Sequence, residues 1–417
     1  MKLSPTIIKK QTSDINKNQW EKEGFLIQIK PRQYLLGEGP FSLSSKPEAG
    51  QWSLFYPPFF FSHRIHNSQG KIRPSGYKSL ANTLERPRSY EKTVPDGYKS
   101  LANTLERPRS YEKTVPDGYK KAYWYIPYAT AFFSKQKLEA FLGPKKEKIY
   151  INDKNRVLPS KSLFKSFFLK SQEQIKKNKI QKVVPVFFET SPFSLEKKDI
   201  SSLIYYLITC SHKGGIAYGW WSNKQAILGY TPEYLFKKDA LFVQTMALAG
   251  TARSAQHDLK KDQKERWEHQ LVIEEIKKQL KPLGKSHLSD TYIYSVGNIS
   301  HLRTDFKLQL TKNISFEQLC CLLHPTPALG GVPRKPALNL LAELHKENNL
   351  RYGFGSPFGV AKGDKAFCVV AIRNVQFING KMYIGSGFGL VKGSQMEREW
   401  EELRKKRQII KDILFST

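Results

Sequence analysis

The sequence lacks the features that mark membrane-spanning, disulfide-bonded and zinc-binding proteins. No apolar run reaches the roughly 18 residues that a membrane-spanning helix needs, and the first residues contain no apolar signal core. The 417 residues include 4 cysteines, with neither a CxxC pair nor metal-ligand spacing. A hydrophobic content of 40% is enough for a large buried core. We therefore expect a soluble, cytoplasmic protein without a membrane partner, whose cysteines are reduced core residues.

The chain also lacks the motifs of nucleic-acid-binding proteins, although its formal net charge is +31. It contains no RNP motif, zinc-finger spacing or basic heptad array, and its basic residues are mostly lysines in short, scattered runs. This distribution indicates a compositional drift of the whole sequence, so we expect no nucleic-acid partner. A positive field of this size would speed the encounter with a small anionic substrate.

A perfect tandem duplication interrupts the N-terminal third. Gly76–Asp96 recurs unchanged at 97–117, and a third copy begins at residue 118 and then diverges. Two polar, proline-containing copies cannot bury a repeat core, so an exposed, mobile insertion is expected. The predicted organisation is a strand-rich N-terminal part at 1–75, the duplication at 76–118, a connecting part at 119–171 and a catalytic region at 172–412.

Hydrophobic patterning predicts a mixture of helices and antiparallel strands. Helices are predicted at 160–178, 262–280, 316–323, from Pro336 onward and at 397–414. Strands are predicted at 180–188, 214–229, 240–248, 291–312, 366–377 and 382–391, with a hairpin across Asn379–Gly380. This irregular alternation favours an α+β fold with large sheets over a doubly wound parallel fold. Pro185 cannot donate to a sheet ladder, so its strand should be bulged or at an edge.

Two pairs of glutamates have the spacing of one helix face. Glu265 and Glu268 are three residues apart, and so are Glu399 and Glu402. A solvated helix face would explain one such pair. Two pairs on two helices could together hold a hard divalent cation such as Mg²⁺ through oxygen ligands. The sequence alone leaves both interpretations open.

A glycine run precedes the second acid pair. Gly385, Gly387 and Gly389 alternate with other residues, but they lack the GxGxxG spacing of dinucleotide-binding loops. Glycine permits a tight turn or a close approach of the backbone to a ligand. The spacing alone leaves both explanations open.

Eight segments, in a fixed order between about residues 172 and 412, resemble the chorismate-utilising enzymes, the family of anthranilate synthase component I. Within that family the resemblance is closest to isochorismate synthases. The segments are Lys182-Val-Val, Thr231-Pro-Glu233, Leu248-Ala-Gly-Thr-Ala-Arg253, Glu268-His-Gln-Leu-Val272, His324-Pro-Thr-Pro-Ala-Leu-Gly330, Ala371-Ile-Arg373, Gly387-Phe-Gly-Leu-Val391 and Glu399-Trp-Glu-Glu402. The resemblance implies a chorismate-binding α+β fold of two packed sheet-and-helix halves with a central cleft.

The resemblance also implies roles for the charged residues. The glutamates of both pairs would surround a Mg²⁺ ion, some of them through water, and this ion would bind the ring carboxylate of chorismate. Lys182 matches a general base that activates water, for which it must be neutral. Glu233 matches the general acid that protonates the departing C4 hydroxyl, for which burial must keep its carboxyl protonated. An exposed strand-edge lysine and a turn glutamate are the structural alternatives.

Further positions match substrate contacts in this family. The resemblance implies that the backbone at Gly387 and Gly389 passes close to a small carboxylate ligand. Arg373, on a predicted strand, and Lys406, on the last helix, would contact substrate carboxylates, and the backbone of Gly250 and Thr251 would meet the ring carboxylate in a turn. His301 matches a pocket histidine, although a satisfied core histidine is the alternative. Ala328 stands where relatives that eliminate pyruvate typically carry threonine. The alanine at position 328 therefore implies a reaction that stops at isochorismate.

The resemblance thus predicts a Mg²⁺-dependent isochorismate synthase, an isomerase that acts on chorismate, with menaquinone biosynthesis as the default pathway and siderophore or salicylate pathways as alternatives. Salicylate synthase and anthranilate or aminodeoxychorismate synthase component I are the nearest other activities. A non-catalytic basic binding protein derived from the family is the alternative of another class, because the strand after Lys182 departs from the family pattern. A monomer or weak homodimer is expected.

Overall fold

The computed structural model describes residues 15–44, 46–56, 124–151, 155–210, 214–222, 224–252, 259–297, 299–345 and 353–416. The duplication at 76–118, which the sequence predicts to be an exposed insertion, lies outside these described residues. Within the described ranges, no helix combines the length and the apolar character needed to cross a membrane.

The helices of the described residues are α1 Lys17–Lys22, α2 Lys135–Leu142, α3 Lys161–Lys176, α4 Lys197–Thr209, α5 Gln263–Leu280, α6 Phe316–Leu323, α7 Arg334–Leu344 and α8 Met396–Leu414. Side chains define several of their starts. Asp262 accepts a hydrogen bond from the Glu265 N–H at the start of α5, and Ser315 and Gln318 form a capping box on α6. The helices predicted from the sequence are confirmed to within about two residues at each end.

The strands are β1 Glu23–Lys30, β2 Gln33–Glu38, β3 Ser42–Ser44, β4 Ser53–Phe55, β5 Trp124–Ile126, β6 Ala129–Ser134, β7 Ile149–Tyr150, β8 Lys182–Val183, β9 Val186–Pro192, β10 Ile216–Ser222, β11 Gln225–Thr231, β12 Tyr234–Asp239, β13 Phe242–Ala252, β14 Gly284–Leu288, β15 Tyr292–Val296, β16 Ile299–Leu310, β17 Gly331–Val332, β18 Pro357–Lys362, β19 Lys365–Val370, β20 Asn374–Ile378, β21 Lys381–Gly387 and β22 Phe415–Ser416. A short 3₁₀ helix, Lys281–Leu283, links α5 to β14.

Two large antiparallel sheets contain most of these strands. The eight-stranded sheet has the order β6-β2-β1-β10-β11-β20-β21-β9, and the ten-stranded sheet runs β14-β16-β13-β12-β19-β18-β4-β5-β3, with β15 also paired to β16. Asn379 and Gly380, both with positive φ, form the predicted hairpin turn between β20 and β21. The two remaining pairings, β8 with β17 and β7 with β22, are short.

Pro185 divides the strand that the sequence predicts at 180–188. Before the proline, Lys182 and Val183 pair with β17, and after it β9 joins the edge of the eight-stranded sheet beside β21. The expectation of an edge position at Pro185 is therefore confirmed. The predicted strand is interrupted at Val184 and Pro185, but Val183 also bridges Leu390 in the register that β9 keeps with β21, so the chain keeps this partner across the proline.

Apolar side chains fill the space between the two sheets and between each sheet and its helices. One cluster joins inward-facing residues of the two sheets, such as Ile27 and Val360. A second packs α4 against the eight-stranded sheet, and a third packs α5 and α6 against the ten-stranded sheet. The result is two sheet-and-helix layers packed face to face, which is the α+β architecture that the sequence predicts.

Candidate active site

The chain crosses from one sheet to the other at two neighbouring points. Strand β11 ends at Thr231 in the eight-stranded sheet, and β12 begins at Tyr234 in the ten-stranded sheet, so that Glu233 lies in the crossing. A second crossing runs from β19 to β20 and contains Arg373. The two crossings are hydrogen-bonded to each other, because Val370 donates its N–H to the carbonyl of Glu233 at 3.1 Å. They place an acid and a guanidinium at the junction of the sheets.

The position of Arg373 corrects its assignment to a strand. Residues 371–373 interrupt the strand predicted at 366–377, and Arg373 has a φ of +51°. The left-handed conformation turns the chain out of one sheet and into the other. Tyr230 donates its N–H to the Arg373 carbonyl at 3.0 Å, which fixes the turn.

A pocket opens at this junction, and most of the residues predicted from the sequence line it. These are Lys182, Glu233, Gly250, Thr251, Glu268, His301, Ala328, Arg373, Gly387, Gly389 and Lys406. The other three, Glu265, Glu399 and Glu402, belong to a cluster of carboxylates on α5 and α8 that also includes Glu268. We call this group, Glu265, Glu268, Glu399 and Glu402, the carboxylate cluster.

Lys182 reaches the carboxylate cluster from strand β8. Its side chain is only 1% exposed, and its Nζ lies 2.9 Å from Glu268 Oε1. The burial excludes the exposed strand-edge lysine that was the structural alternative. Gly389 makes room for this contact from the other side, because a Cβ at that position would lie 2.3 Å from Glu268 Oε1. At Gly389 the backbone thus passes close to a carboxylate of the protein itself, whereas the prediction concerns the carboxylate of a ligand.

Two further lysines pair with the carboxylate cluster. Lys264 Nζ lies 2.9 Å from Glu265 Oε1 and 3.3 Å from both Glu268 Oε2 and Glu399 Oε1. Lys406 Nζ lies 2.6 Å from Glu402 Oε1 and donates to the carbonyl of Gly387 at 3.0 Å. All four glutamates are buried, so the interpretation of a solvated acidic face is wrong.

The surroundings shift the pKa values of these carboxylates in opposite directions. Burial alone would raise the pKa of Glu268, but the ammonium groups of Lys182 and Lys264 outweigh it and lower the pKa to about 2. Burial raises the pKa of Glu399 to about 7, with the charges of Glu402 and Glu268 adding to it and Lys264 opposing it. Burial and the charge of Glu268 also raise the pKa of Glu265. Four carboxylates thus face three lysines, Lys182, Lys264 and Lys406, and burial keeps part of the Glu399 population protonated at neutral pH.

The donor set of the carboxylate cluster fits a hard divalent cation. Within the described ranges, no group of three or more His, Cys, Asp or Glu side chains is arranged for direct ligation, and the lysines explain this because they hold the carboxylates at ion-pair distances. Four carboxylates nevertheless converge from two helices, and in the described part of the chain Glu399 Oε2 is buried without a hydrogen-bond partner. Oxygen donors of this kind are those that Mg²⁺ prefers.

Glu233 is buried in the wall of the same pocket. Burial raises its pKa to about 7, although a hydrogen bond from Thr326 and the charge of Lys182 oppose the increase. Thr326 Oγ1 donates to Glu233 Oε1 at 3.3 Å, and Thr231 Oγ1 accepts from the Glu233 N–H at 3.2 Å. A carboxyl in this environment is about half protonated at neutral pH and can therefore donate a proton.

His301 and Arg373 form a hydrogen-bonded pair in the pocket wall. The carbonyl of Gly250 can only accept, so His301 Nδ1 carries the proton across their 2.9 Å contact, and Nε2 accepts from Arg373 Nη2 at 2.7 Å. Burial and the charge of Arg373 lower the pKa of His301 to about 3, so the ring is neutral. Arg373 Nη1 is buried without a hydrogen-bond partner among the described residues, and its guanidinium lines the pocket. It is therefore a donor available to an anionic ligand.

Gly250 and Thr251 lie in strand β13 rather than in a turn. The register against β16 shifts between Ala249 and Ala252, which makes a β-bulge, and Gly250 has a φ of +75°. The Thr251 N–H donates to Glu265 Oε2 at 2.7 Å. The N–H predicted to meet a substrate carboxylate thus contacts a carboxylate of the cluster.

Sequence reasoning missed two residues that contact the predicted groups. Thr326 donates a hydrogen bond to the carboxyl of Glu233. It lies in the His324–Gly330 segment that resembles the family, and this segment is the signal that could have pointed to it. Lys264 binds three members of the carboxylate cluster, and its place beside Glu265 was the only hint in the sequence.

A family profile and several curated proteins match this chain in sequence. The sequence profile of the family described as chorismate binding enzyme matches residues 129–415. The isochorismate synthase MenF of Haemophilus influenzae is 30% identical over 199 residues, which cover 45% of this chain and 46% of that protein. The isochorismate synthase EntC of Escherichia coli K12 is 30% identical over 187 residues, which cover 42% and 48%. The matched regions thus span about half the length of these curated relatives.

Solved structures share the fold over nearly the whole chain. A putative 2,3-dihydroxybenzoate-specific isochorismate synthase from Bacillus anthracis superposes with a TM-score of 0.66 at 16% identity, covering 94% of this chain and 96% of that one. The menaquinone-specific isochorismate synthase MenF from Escherichia coli gives 0.64 at 16% identity, covering 97% and 92%. The fold predicted by the resemblance is therefore confirmed. With a family profile that covers more than half of its length, the chain belongs to the family of chorismate-binding enzymes.

Proposed function

We propose that this protein is an isochorismate synthase, which converts chorismate to isochorismate. The single observation that carries the proposal is the placement of Lys182 and Glu233, a buried amine and a buried carboxyl of raised pKa, in one pocket beside the carboxylate cluster. Lys182 takes a proton from a water molecule that attacks C2. The ring double bonds shift, and Glu233 gives its proton to the C4 hydroxyl, which leaves as water.

Lys182 acts as the base in this proposal. Its Nζ lies 2.9 Å from Glu268 Oε1, so a cation bound beside Glu268 would weaken this ion pair. Mg²⁺ held by Glu265, Glu268, Glu399 and Glu402 would supply that cation and would neutralise the carboxylates that otherwise repel a dianionic substrate. The base and the carboxylate cluster are therefore coupled through Glu268.

Arg373 binds a substrate carboxylate through Nη1, the donor that has no hydrogen-bond partner among the described residues. Neutral His301 orients the guanidinium through Nε2, and Gly250 in turn orients His301. A guanidinium fixed in this way gives the directional recognition that a planar carboxylate requires. Lys406 adds positive charge on the α8 side of the pocket.

Two pocket residues support the proposed nucleophile and the proposed endpoint of the reaction. Lys182 supports water rather than ammonia as the nucleophile, because relatives that use ammonia lack this lysine. Ala328 lines the pocket where pyruvate-eliminating relatives typically carry threonine, which supports a reaction that stops at isochorismate. For the pathway we propose menaquinone biosynthesis, supported by curated relatives named MenF. A gene-deletion strain that keeps its menaquinone would contradict this pathway.

The enzymatic test is a product analysis. Purified protein, chorismate and Mg²⁺ are incubated, and the products are separated by liquid chromatography with mass detection. Isochorismate is the expected main product. Salicylate, or anthranilate formed when ammonia is supplied, would instead assign one of the neighbouring activities. No turnover, together with salt-sensitive binding to nucleic acid, would indicate the non-catalytic binding protein.

A further inference from the structure

Lys264 occupies the centre of the carboxylate cluster. Its ammonium contacts carboxylate oxygens on both helices, two from α5 and one from α8, at 2.9 to 3.3 Å. Lys264 donates hydrogen bonds to Glu265 Oε1 and Glu268 Oε2 and forms an ion pair with Glu399 Oε1. The side chain is still 22% exposed, unlike that of Lys182 at 1%. Lys264 is thus both paired with three carboxylates and next to solvent.

This ammonium and a divalent cation compete for one position. Mg²⁺ requires oxygen ligands at about 2.1 Å or bridging waters in that space, and the oxygens that would supply them face the Lys264 Nζ. Two cations at such short separation would also repel each other strongly in a buried site. Binding of the metal therefore requires the ammonium to leave.

We propose that Lys264 is an exchangeable internal cation, which holds α5 and α8 together in the metal-free protein and swings towards solvent when a divalent cation binds. The inference rests on the Mg²⁺ use proposed above. Partial exposure provides the exit route. Lys182 is only 1% exposed, and Lys406, although also 22% exposed, pairs with one member of the cluster, Glu402, where Lys264 pairs with three. The exchange weakens metal binding, because each bound ion must displace an ion pair.

The test measures binding of Mg²⁺ alone, by isothermal titration calorimetry on the full chain without chorismate. Lys264→Gln removes the competing charge and is expected to bind Mg²⁺ about tenfold or more tightly than the wild type. The matched control is Lys277→Gln, on the same helix, whose Nζ pairs with Glu274 at 3.2 Å on the exposed surface. This control is expected to bind Mg²⁺ as the wild type does.

Thermal unfolding gives a second readout. Without Mg²⁺, Lys264→Gln should melt below the wild type, because the carboxylate cluster has lost a counter-charge, and saturating Mg²⁺ should raise its midpoint more than that of the wild type. If Lys264→Gln does not fold, a crystal structure of the wild type with Mn²⁺ replaces it, and Lys264 is expected to have left the three oxygens.

The outcomes separate this inference from the proposed function. Equal or weaker Mg²⁺ binding by Lys264→Gln, or a metal-bound structure in which Lys264 has not moved, overturns the exchange and leaves the Mg²⁺ site intact. Failure of the wild type and of Lys264→Gln alike to bind Mg²⁺ overturns the metal site itself, and the exchange with it.

Discussion

Replacing Glu233 by glutamine should remove catalysis and at the same time stabilise the fold at alkaline pH. Burial raises the pKa of Glu233 from its usual 4.5 to about 7. Between these pH values the folded chain keeps a proton that the unfolded chain has released, so wild-type stability falls as the pH rises. Below 4.5 both states carry the proton, and above 7 neither state does. The loss of stability is therefore complete above about pH 7.

The size of this effect follows from the difference between the two pKa values. About 2.5 pH units at about 1.4 kcal/mol each correspond to about 3.5 kcal/mol for the complete loss. Glutamine keeps an oxygen that accepts from Thr326 but carries no charge. The quantity to compare is the free energy of unfolding of Glu233→Gln minus that of the wild type. We expect this difference to be about 3 kcal/mol larger at pH 8.5 than at pH 4. Its turnover should fall by about 10² to 10⁴.

The assay is urea unfolding at several pH values, together with product formation from chorismate. Glu274→Gln, at an exposed position of α5, is the matched control, and its effect should stay within about 0.5 kcal/mol at every pH. A stability difference between Glu233→Gln and the wild type that does not change with pH would show that the carboxyl is not held protonated by burial. Near-normal turnover of Glu233→Gln would refute its role as the acid.

Three further changes test other parts of the structure. Lys182→Gln should abolish turnover and leave chorismate binding, measured by calorimetry, largely intact; retained turnover would remove Lys182 from the chemistry. Glu189→Gln should lower the free energy of unfolding by about 3–5 kcal/mol, because buried Arg407 and Lys411 lose their common carboxylate, and a loss under about 1 kcal/mol would contradict this. Deletion of Gly76–Asp96 should leave activity and melting temperature unchanged. The reason is the proposed division of the chain, in which 76–118 is an insertion and 172–412 is the catalytic region. A deletion variant that fails to fold would show that the deleted copy is structural.

Local signals were sufficient for the parts of the site that lie on single elements. The i, i+3 spacing of Glu265 with Glu268, and of Glu399 with Glu402, predicts a shared helix face, and α5 and α8 present those faces to each other. Pro185 predicts the edge position of its strand for a similarly local reason. The resemblance supplied the chemistry that such spacing alone leaves open.

Long-range contacts account for what the sequence could not predict. The bend at Arg373 exists because β19 and β20 belong to different sheets, and no local pattern encodes that change of partner. The placement of Lys264 among three carboxylates depends on how α5 and α8 approach each other. The contact of Thr326 with Glu233 joins residues 93 positions apart in the chain. Each of these features arises from tertiary packing.

The most direct test of the account is the product formed from chorismate in the presence of Mg²⁺, compared between the wild type and Lys182→Gln. The account predicts isochorismate from the wild type, its absence with Lys182→Gln, and its absence from the wild type when a chelator removes the metal. Salicylate as the main product, or unchanged isochorismate formation by Lys182→Gln, would contradict it.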